Sequence, residues 1–171
     1  RRVTMLWLFG CVMMLLGVPY AHTAGGYVPA LAAMTPEVGI SGEAFVTDDG
    51  GVEVNVNVQA AVAGEYYLAV QLLENGIIHS QAGADTGNYA HNHTLRTTLN
   101  EGGITGESLG SMAVNQLVKK EYTISSNDVN GYDLDNCMVV CYVCVSDGEG
   151  GYYAANAIEI PMNGWVDCSF E

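Results

Sequence analysis

Basic residues are scarce in this chain, which has 171 residues with 5 Lys and Arg against 19 Asp and Glu. The formal net charge of −14 would repel a phosphate backbone, which excludes nucleic acid as a partner. Proline is also sparse, with 4 residues, whereas glycine is frequent, with 21. Together with short runs rich in Val, Tyr and Thr, this composition favours a β-rich domain with many turns over a helical bundle.

Recognisable catalytic motifs are also few. The chain contains no His-Glu-x-x-His helix and no phosphate-cradling glycine loop. The glycine-rich stretch 101–111 lacks the lysine of a phosphate loop, and we interpret it as a flexible connection between strands. Paired acids such as Asp48 and Asp49 lie in turn sequences, where weak calcium binding is a minor alternative to local backbone hydrogen bonds. We therefore expect neither enzymatic activity nor a cofactor.

Charge is missing altogether between Arg2 and Glu37. The apolar segment 5–18 inside this interval is shorter than the ~20 residues of a membrane-spanning helix and is typical of an export signal. We predict a signal peptide over residues 1–25, followed by a linker over residues 26–37. The protein is then exported, to the periplasm, the outer membrane or the cell surface.

Two alternatives remain open for this N-terminal segment. It could be a buried element of an upstream domain, or Cys11 could be the lipid-bearing residue of a bacterial lipidation box. The apolar sequence that continues after Cys11 argues against lipidation, because a lipidated cysteine normally opens a polar linker.

Alternating hydrophobicity dominates the rest of the chain. In the stretch 52–58, valine alternates with Glu or Asn, which predicts a half-buried strand of an antiparallel sheet. The turn sequence 47–51 precedes it, and Asn75-Gly76 predicts a second hairpin with a type I′ turn. Further strands are predicted at 91–99, 119–125, 136–146 and 151–160.

These strands predict an all-β fold, an antiparallel immunoglobulin-like β-sandwich of about seven strands. The sandwich domain is expected over residues 38–161, and residues 162–171 are expected to form a C-terminal tail. The residues that alternation predicts to be buried include Val54, Val56, Leu68, Val70, Val139 and Val143.

Two histidines and an arginine stand close together in the sequence HNHTLR. In a continuous strand, His91 and His93 would share a face with Leu95 and Leu99, at the end of the core-facing row. Arg96 would lie on the opposite face, where its guanidinium could form a fork-shaped structural ion pair with a neighbouring acid. We predict that the histidines support the sandwich and that Arg96 is the more important residue.

A metal site is the alternative interpretation of the same stretch. Imidazole is the commonest zinc ligand, and His79 could join His91 and His93, with Asp85 the nearest acid in the loop between them. No carboxylate or cysteine stands at a spacing that would complete the ligand shell, so we predict no metal.

Three cysteines occupy one predicted strand. Cys137 and Cys141 would lie on one face and Cys144 on the other, so the Cys-x-x-Cys pattern would hold its sulfurs apart. We interpret all three as small apolar core residues. Cys168 could form a disulfide with one of them in an exported chain.

In this order, the segments YYLAVQLLENGIIHSQ, HNHTLR, EYTIS, DNCMVVCYVCVSD and YYAANAIEI resemble the C-terminal domain of the outer membrane protein Omp-28-related family of Bacteroidetes-type bacteria. The resemblance covers residues 38–161. It implies an envelope-associated domain, which often follows a thioredoxin-like region in longer relatives. No sequence ahead of residue 38 resembles such a region, so the resemblance does not carry the redox role of longer relatives over to this chain.

Two functional classes follow. The first is a non-catalytic module of the cell envelope, associated with the outer membrane, that gives structural support or binds another envelope protein through its loops or an exposed strand edge. The alternative is a metal-binding or thiol-redox envelope protein that uses His79, His91 and His93 or the cysteines.

Overall fold

The protein is described here by a computed structural model that covers residues 36–83 and 87–167. The signal, lipidation and disulfide hypotheses at residues 1–25, Cys11 and Cys168 lie outside these ranges, as does Asp85. The strands are β1 (Val38–Val46), β2 (Val52–Ala60), β3 (Gly64–Glu74), β4 (Ile77–His79), β5 (Tyr89–His91), β6 (Thr94–Thr98), β7 (Glu107–Met112), β8 (Leu117–Ile124), β9 (Cys137–Ser146), β10 (Tyr152–Pro161) and β11 (Gly164–Val166). Within the described ranges, no helix is long and apolar enough to cross a bilayer.

The strands form two main antiparallel sheets and a small third one. Sheet A has the order β11-β1-β2-β8. Sheet B has the order β10-β9-β3-β6. Strand β3 pairs with β6 through residues 71–74 and with β7 through residues 64–68. The third sheet contains only β4 and β5, and we call it the arm.

The main core lies between sheets A and B. Every second residue of β2 faces this core, which confirms the half-buried strand that the alternation of residues 52–58 predicts. All six core residues named from alternation are at most 1% exposed. Burial of each such aliphatic side chain stabilises the fold by roughly 1.5 to 3 kcal/mol. The all-β antiparallel sandwich is confirmed, although immunoglobulin-like connectivity stays a prediction.

Strand β9 is apolar on both faces because both faces are covered. Cys141 and Val143 face the main core, whereas Tyr142 and Cys144 belong to a second apolar cluster on the outer side of sheet B. The loop before β7 closes over part of this side, since the Tyr142 hydroxyl donates a hydrogen bond to the carbonyl oxygen of Ile104 at 2.5 Å. Burial raises the pKa of Tyr142 to about 12.

One edge of sheet A is tied to sheet B by charge. The Lys120 Nζ of β8 lies 3.2 Å from Glu107 Oε2 of β7, and the Tyr122 hydroxyl donates to the other Glu107 oxygen. Burial and the carboxylate raise the pKa of Tyr122 well above its ordinary value. Strand β8 is at the edge of sheet A, and the charged side chain of Lys120 on this strand is directed inward, toward sheet B.

Several local predictions are wrong. The described residues form eleven strands rather than about seven. Strand β4 pairs with β5 and not with β3, and at the predicted type I′ turn only Gly76 has positive φ, 74°. Residues 107–111 of the supposed flexible connection belong to β7, which ends at Met112. Residues 164–166 of the supposed tail form β11, which pairs with β1.

Candidate functional site

The arm projects from the end of sheet B where β3 and β6 pair. Two asparagine side chains fasten its base: Asn92 Oδ1 accepts the N–H of Gly76 at 3.0 Å, and Asn75 Oδ1 accepts the N–H of His93 at 2.7 Å. His93 has φ 54°, a left-handed conformation that asparagine and histidine adopt more readily than most residues. The strand predicted over 91–99 is therefore interrupted at this point.

The described residues of the arm carry exposed apolar side chains and no fixed charge. Ile78 is 59% exposed and Tyr89 is 43% exposed. Ranges 75–83 and 87–93 contain no Asp, Glu, Lys or Arg, in a chain whose net charge is −14. The described residues of the arm thus form a partly apolar surface without fixed charge on an acidic molecule, and Asp85 is the one charged residue of the sequence between its strands.

The predicted core row of His91, His93 and Leu95 is not formed. His91 is half-buried and its ring contacts Tyr89 edge to face, with 5.0 Å between ring centroids. His93 is exposed, with Nε2 3.9 Å from Glu159 Oε2, and Leu95 is 49% exposed. These residues lie at the surface rather than in the sandwich core.

A β-bulge explains why this parity fails. In the pairing of β3 with β6, Leu72 is opposite Thr97 and Leu73 is opposite Leu95, so Arg96 is the extra residue. Leu72 faces the main core, but Leu73 belongs to the outer cluster. Leu95, which is opposite Leu73, therefore also lies on the outer side of sheet B.

Arg96 points toward the end of the main core instead of away from it. Its Nε lies 3.2 Å from Glu74 Oε2, and its guanidinium carbon lies 4.0 Å from the centre of the Tyr132 ring. Glu74 Oε1 also accepts the backbone N–H of Asp133 at 3.2 Å. This ion pair and this cation–π contact join the loop before β9 to sheet B. The contacts of Arg96 are therefore those of a residue that holds the fold together.

The structure does not bring the three histidines together as a ligand set. His79 and His91 lie on the two strands of the arm, where they face Tyr89 and Ile77 in register. His79 is exposed, and its Nδ1 is 3.3 Å from the Ser80 carbonyl oxygen. Among the described residues, no three His, Cys, Asp or Glu side chains are grouped as a metal site would require.

The cysteines of β9 lie as the sequence predicts. Cys137, Cys141 and Cys144 are free thiols, at most 5% exposed. Cys141 faces the main core and Cys144 faces the outer cluster, so the Cys-x-x-Cys sulfurs lie on opposite sides of the strand. Burial raises the pKa of both thiols, that of Cys144 to about 11, which disfavours the reactive thiolate.

A formal Gly-x-Ser-x-Gly pattern occurs at residues 106–110. It does not form the strand-to-helix turn that exposes a hydrolase nucleophile, because Ser108 lies within β7. Its Oγ accepts the N–H of Gly110 at 3.1 Å, beside a bulge in the pairing with β3.

A shallow groove of about 350 Å³ lies on the outer face of sheet A. Its lining includes Ser41, Glu43, Asn55, Asn57, Trp165 and Asp167. Trp165 is 72% exposed, the highest value among the large apolar residues described. The polar row on β2 is visible in the sequence, but the approach of Trp165 depends on the pairing of β11 with β1, which alternation did not reveal.

The fold and its surfaces define an acidic, antiparallel β-sandwich with a projecting arm. A protein-family model described as outer membrane protein Omp28 matches residues 22–159. The chain belongs to this Omp28 family, as its segment order indicated, and is therefore a protein of the cell envelope associated with the outer membrane.

Two solved structures from Porphyromonas gingivalis have a similar fold. The first, HBP35, has 17% sequence identity and a TM-score of 0.64, over 94% of this chain and 58% of that chain. The second, a domain of the outer membrane lipoprotein Omp28, has 21% identity and a TM-score of 0.50, over 76% of this chain and 91% of that chain. This chain thus corresponds to little more than half of HBP35. A search of curated proteins gives no match.

Proposed function

We propose that this chain is a non-catalytic binding module of the cell envelope, which engages another envelope protein through the arm. The observation that carries the proposal is the exposure of Ile78 and Tyr89 on a projection that contains no fixed charge in its described residues. Apolar and aromatic side chains at the centre of an interface provide most of the binding free energy, and charged residues are depleted there.

The surrounding charge supports the choice of this surface. The molecule has a net charge of −14, so an approaching acidic protein meets less repulsion at the described residues of the arm, which carry no fixed charge, than at surfaces rich in Asp and Glu. The arm also requires no desolvation of a fixed charge among its described residues when a partner covers it. Its base is held by the two asparagine hydrogen bonds, which lowers the entropy lost on binding.

The chemistry of the remaining groups supports a role without catalysis. The thiols of β9 are buried on opposite faces, and burial disfavours their ionisation. Ser108 lies in a strand rather than in a nucleophile turn. Neither arrangement supplies an activated nucleophile.

Site-specific photo-cross-linking in cells of the source organism tests the proposal. A photoreactive phenylalanine analogue replaces Ile78, and in a matched control it replaces Glu149, an exposed residue in the turn between β9 and β10 at the other end of sheet B. We expect one discrete cross-linked protein at position 78 and none at position 149.

A second pair of variants shows whether the apolar side chains provide the affinity. Tyr89→Ser should remove the cross-link formed at position 78, whereas Leu117→Ser, which changes another half-exposed apolar residue on β8, should leave it intact. Equal labelling at positions 78 and 149, or labelling unaffected by Tyr89→Ser, would contradict binding through the arm.

A further inference from the structure

The outer face of sheet A combines one flat aromatic surface with a row of short polar side chains. In register across the sheet, Trp165 of β11 pairs with Glu43 of β1, and Glu43 pairs with Asn55 of β2. Ser41 and Asn57 form the next polar pair along the same two strands. All of these side chains contribute to the groove of about 350 Å³, a volume at the lower end of the range of roughly 300 to 1,000 Å³ for small-molecule sites.

The dimensions suit a ring of saccharide size. Neighbouring strands are about 4.8 Å apart, so Trp165 and Asn55, two strands apart, are separated by about 10 Å at the backbone. The Glu43 side chain stands on the strand between them, so a pyranose ring would lie above Glu43, with one face on the indole and its hydroxyl groups toward Glu43 and the asparagines.

The polar groups of the groove are suited to hydroxyl groups. Asn55 Nδ2 donates to Glu43 Oε1 at 3.2 Å and to Glu53 Oε1 at 3.3 Å. Asn55 Oδ1 has no hydrogen-bond partner among the described residues, but it is buried, so a ligand hydroxyl would meet it only after the amide turns toward the groove. Asn57 Nδ2 is only weakly engaged, at 3.4 Å from Ser41 Oγ. A hydroxyl group can both donate and accept, which matches this mixture.

The charge of the groove limits the class of ligand. Glu43 and Asp167 line it, so an acidic saccharide or a phosphorylated group would be repelled. The single aromatic residue among amides, a hydroxyl and carboxylates is also too polar for the apolar centre of a protein interface. Stacking on an indole needs an apolar face, and the alternating C–H groups on one side of a neutral sugar provide it.

We propose that this groove binds a neutral saccharide, with Trp165 as the stacking surface and Asn55 and Asn57 as hydrogen-bonding groups. The site lies on sheet A, whereas the arm is a separate sheet that projects from sheet B, so this inference is independent of the proposed protein partner.

Fluorescence titration of the full chain tests the proposal directly. The chain contains Trp7 and Trp165, so a Trp7→Phe background leaves Trp165 as the single indole. The neutral probes are maltohexaose, cellohexaose, chitohexaose and mannohexaose. Polygalacturonate serves as the acidic probe and hexalysine as the basic probe. We expect saturable change in Trp165 emission with at least one neutral probe and none with polygalacturonate or hexalysine.

Variants then locate the site by calorimetric titration with the active probe. Trp165→Ala should raise Kd by roughly tenfold or more, and each tenfold corresponds to about 1.4 kcal/mol. Trp165→Phe should retain most of the affinity, and Tyr89→Ala, which changes an exposed aromatic residue of the arm, should retain all of it. Asn57→Leu preserves the strand but removes the amide, so it should weaken binding even if Trp165→Ala fails to fold.

Three results would overturn the inference. They are the absence of binding by all four neutral probes, affinity that is unchanged in both Trp165→Ala and Asn57→Leu, and saturable binding of hexalysine that a neutral probe does not displace. The last result would identify the groove as a site for basic peptides.

Discussion

Arg96 shows how one inserted residue controls its surroundings. As the extra residue of the β-bulge, it turns inward and meets Glu74, whose side chain is only 9% exposed. A carboxylate that is so nearly buried needs a compensating charge, and the guanidinium supplies it while stacking on Tyr132.

Arg96→Ala is expected to lower the free energy of unfolding by about 1 to 3 kcal/mol, because Glu74 loses its counter-charge; the partial exposure of Arg96 reduces this effect below that of a fully buried pair. Urea denaturation measures the change. Glu74→Ala and the double variant complete a thermodynamic cycle, and strictly additive losses would show that the two groups do not interact.

The buried thiol of Cys144 gives the fold a pH dependence on the alkaline side. Burial raises its pKa from 9.0 to about 11 in the folded chain. Between these values the unfolded chain ionises this thiol and the folded chain does not. The thiol's contribution to stability is therefore complete below pH 9 and is lost as the pH rises toward about 11.

Cys144→Ala should make the alkaline fall in stability smaller, by up to about 2 kcal/mol between the two ends of this pH window. Thermal unfolding at a series of pH values measures it. The comparison is made with the parent chain, in which the other buried thiols and tyrosines titrate as well. Parallel curves for the two proteins would contradict a buried, protonated Cys144.

Edge strand β8 carries two lysines that hinder its pairing with a strand of another molecule. It lies at the end of sheet A, with Lys119 exposed and Lys120 directed toward Glu107. Lysines on an edge strand, especially inward-pointing ones, hinder the addition of a strand from another molecule.

Replacing both residues, as Lys119→Thr with Lys120→Val, should increase self-association beyond that of the parent chain, since the edge loses both lysines and keeps Glu121 as its one charged residue. Sedimentation velocity detects this as a larger species or a concentration-dependent shift. The matched control, Lys119→Arg with Lys120→Arg, keeps the charges and should sediment like the parent. Identical behaviour of all three proteins would show that charge does not protect this edge.

Elements differ in how far their sequences predict them. The alternation of β2 predicts its register because a single core covers one face. The alternation of 91–99 misleads because the bulge at Arg96 and the left-handed His93 shift the parity twice within a few residues. No local pattern marks either feature. The order of strands and the groove beside Trp165 result from long-range pairing, which periodicity does not encode.

At the scale of the whole molecule, the arm and the sandwich are separable. Within the described residues, β4 and β5 pair only with each other. Glu74 already pairs with Thr94 at the base of the arm. Deletion of residues 77–91 would therefore leave residues 75, 76, 92 and 93 as a short loop between β3 and β6, a connection of a common length for hairpins.

This deletion is expected to leave the midpoint of thermal unfolding within a few degrees of the parent value, because the main core is untouched. It should also abolish binding of the partner identified by cross-linking and leave the response of Trp165 to neutral saccharides unchanged. Calorimetry and the fluorescence titration measure these outcomes. A large loss of stability would show that the arm is part of the folding unit.

The ion pairs of Arg96 and Lys120 also affect how copies of the protein interact with one another. Both cations are paired with buried or half-buried carboxylates, so most of the charge left at the surface is negative. Neighbouring copies then repel one another over about 8 Å at physiological ionic strength. Crowded copies of the protein are therefore expected to stay apart at low ionic strength, and a higher salt concentration should allow closer packing.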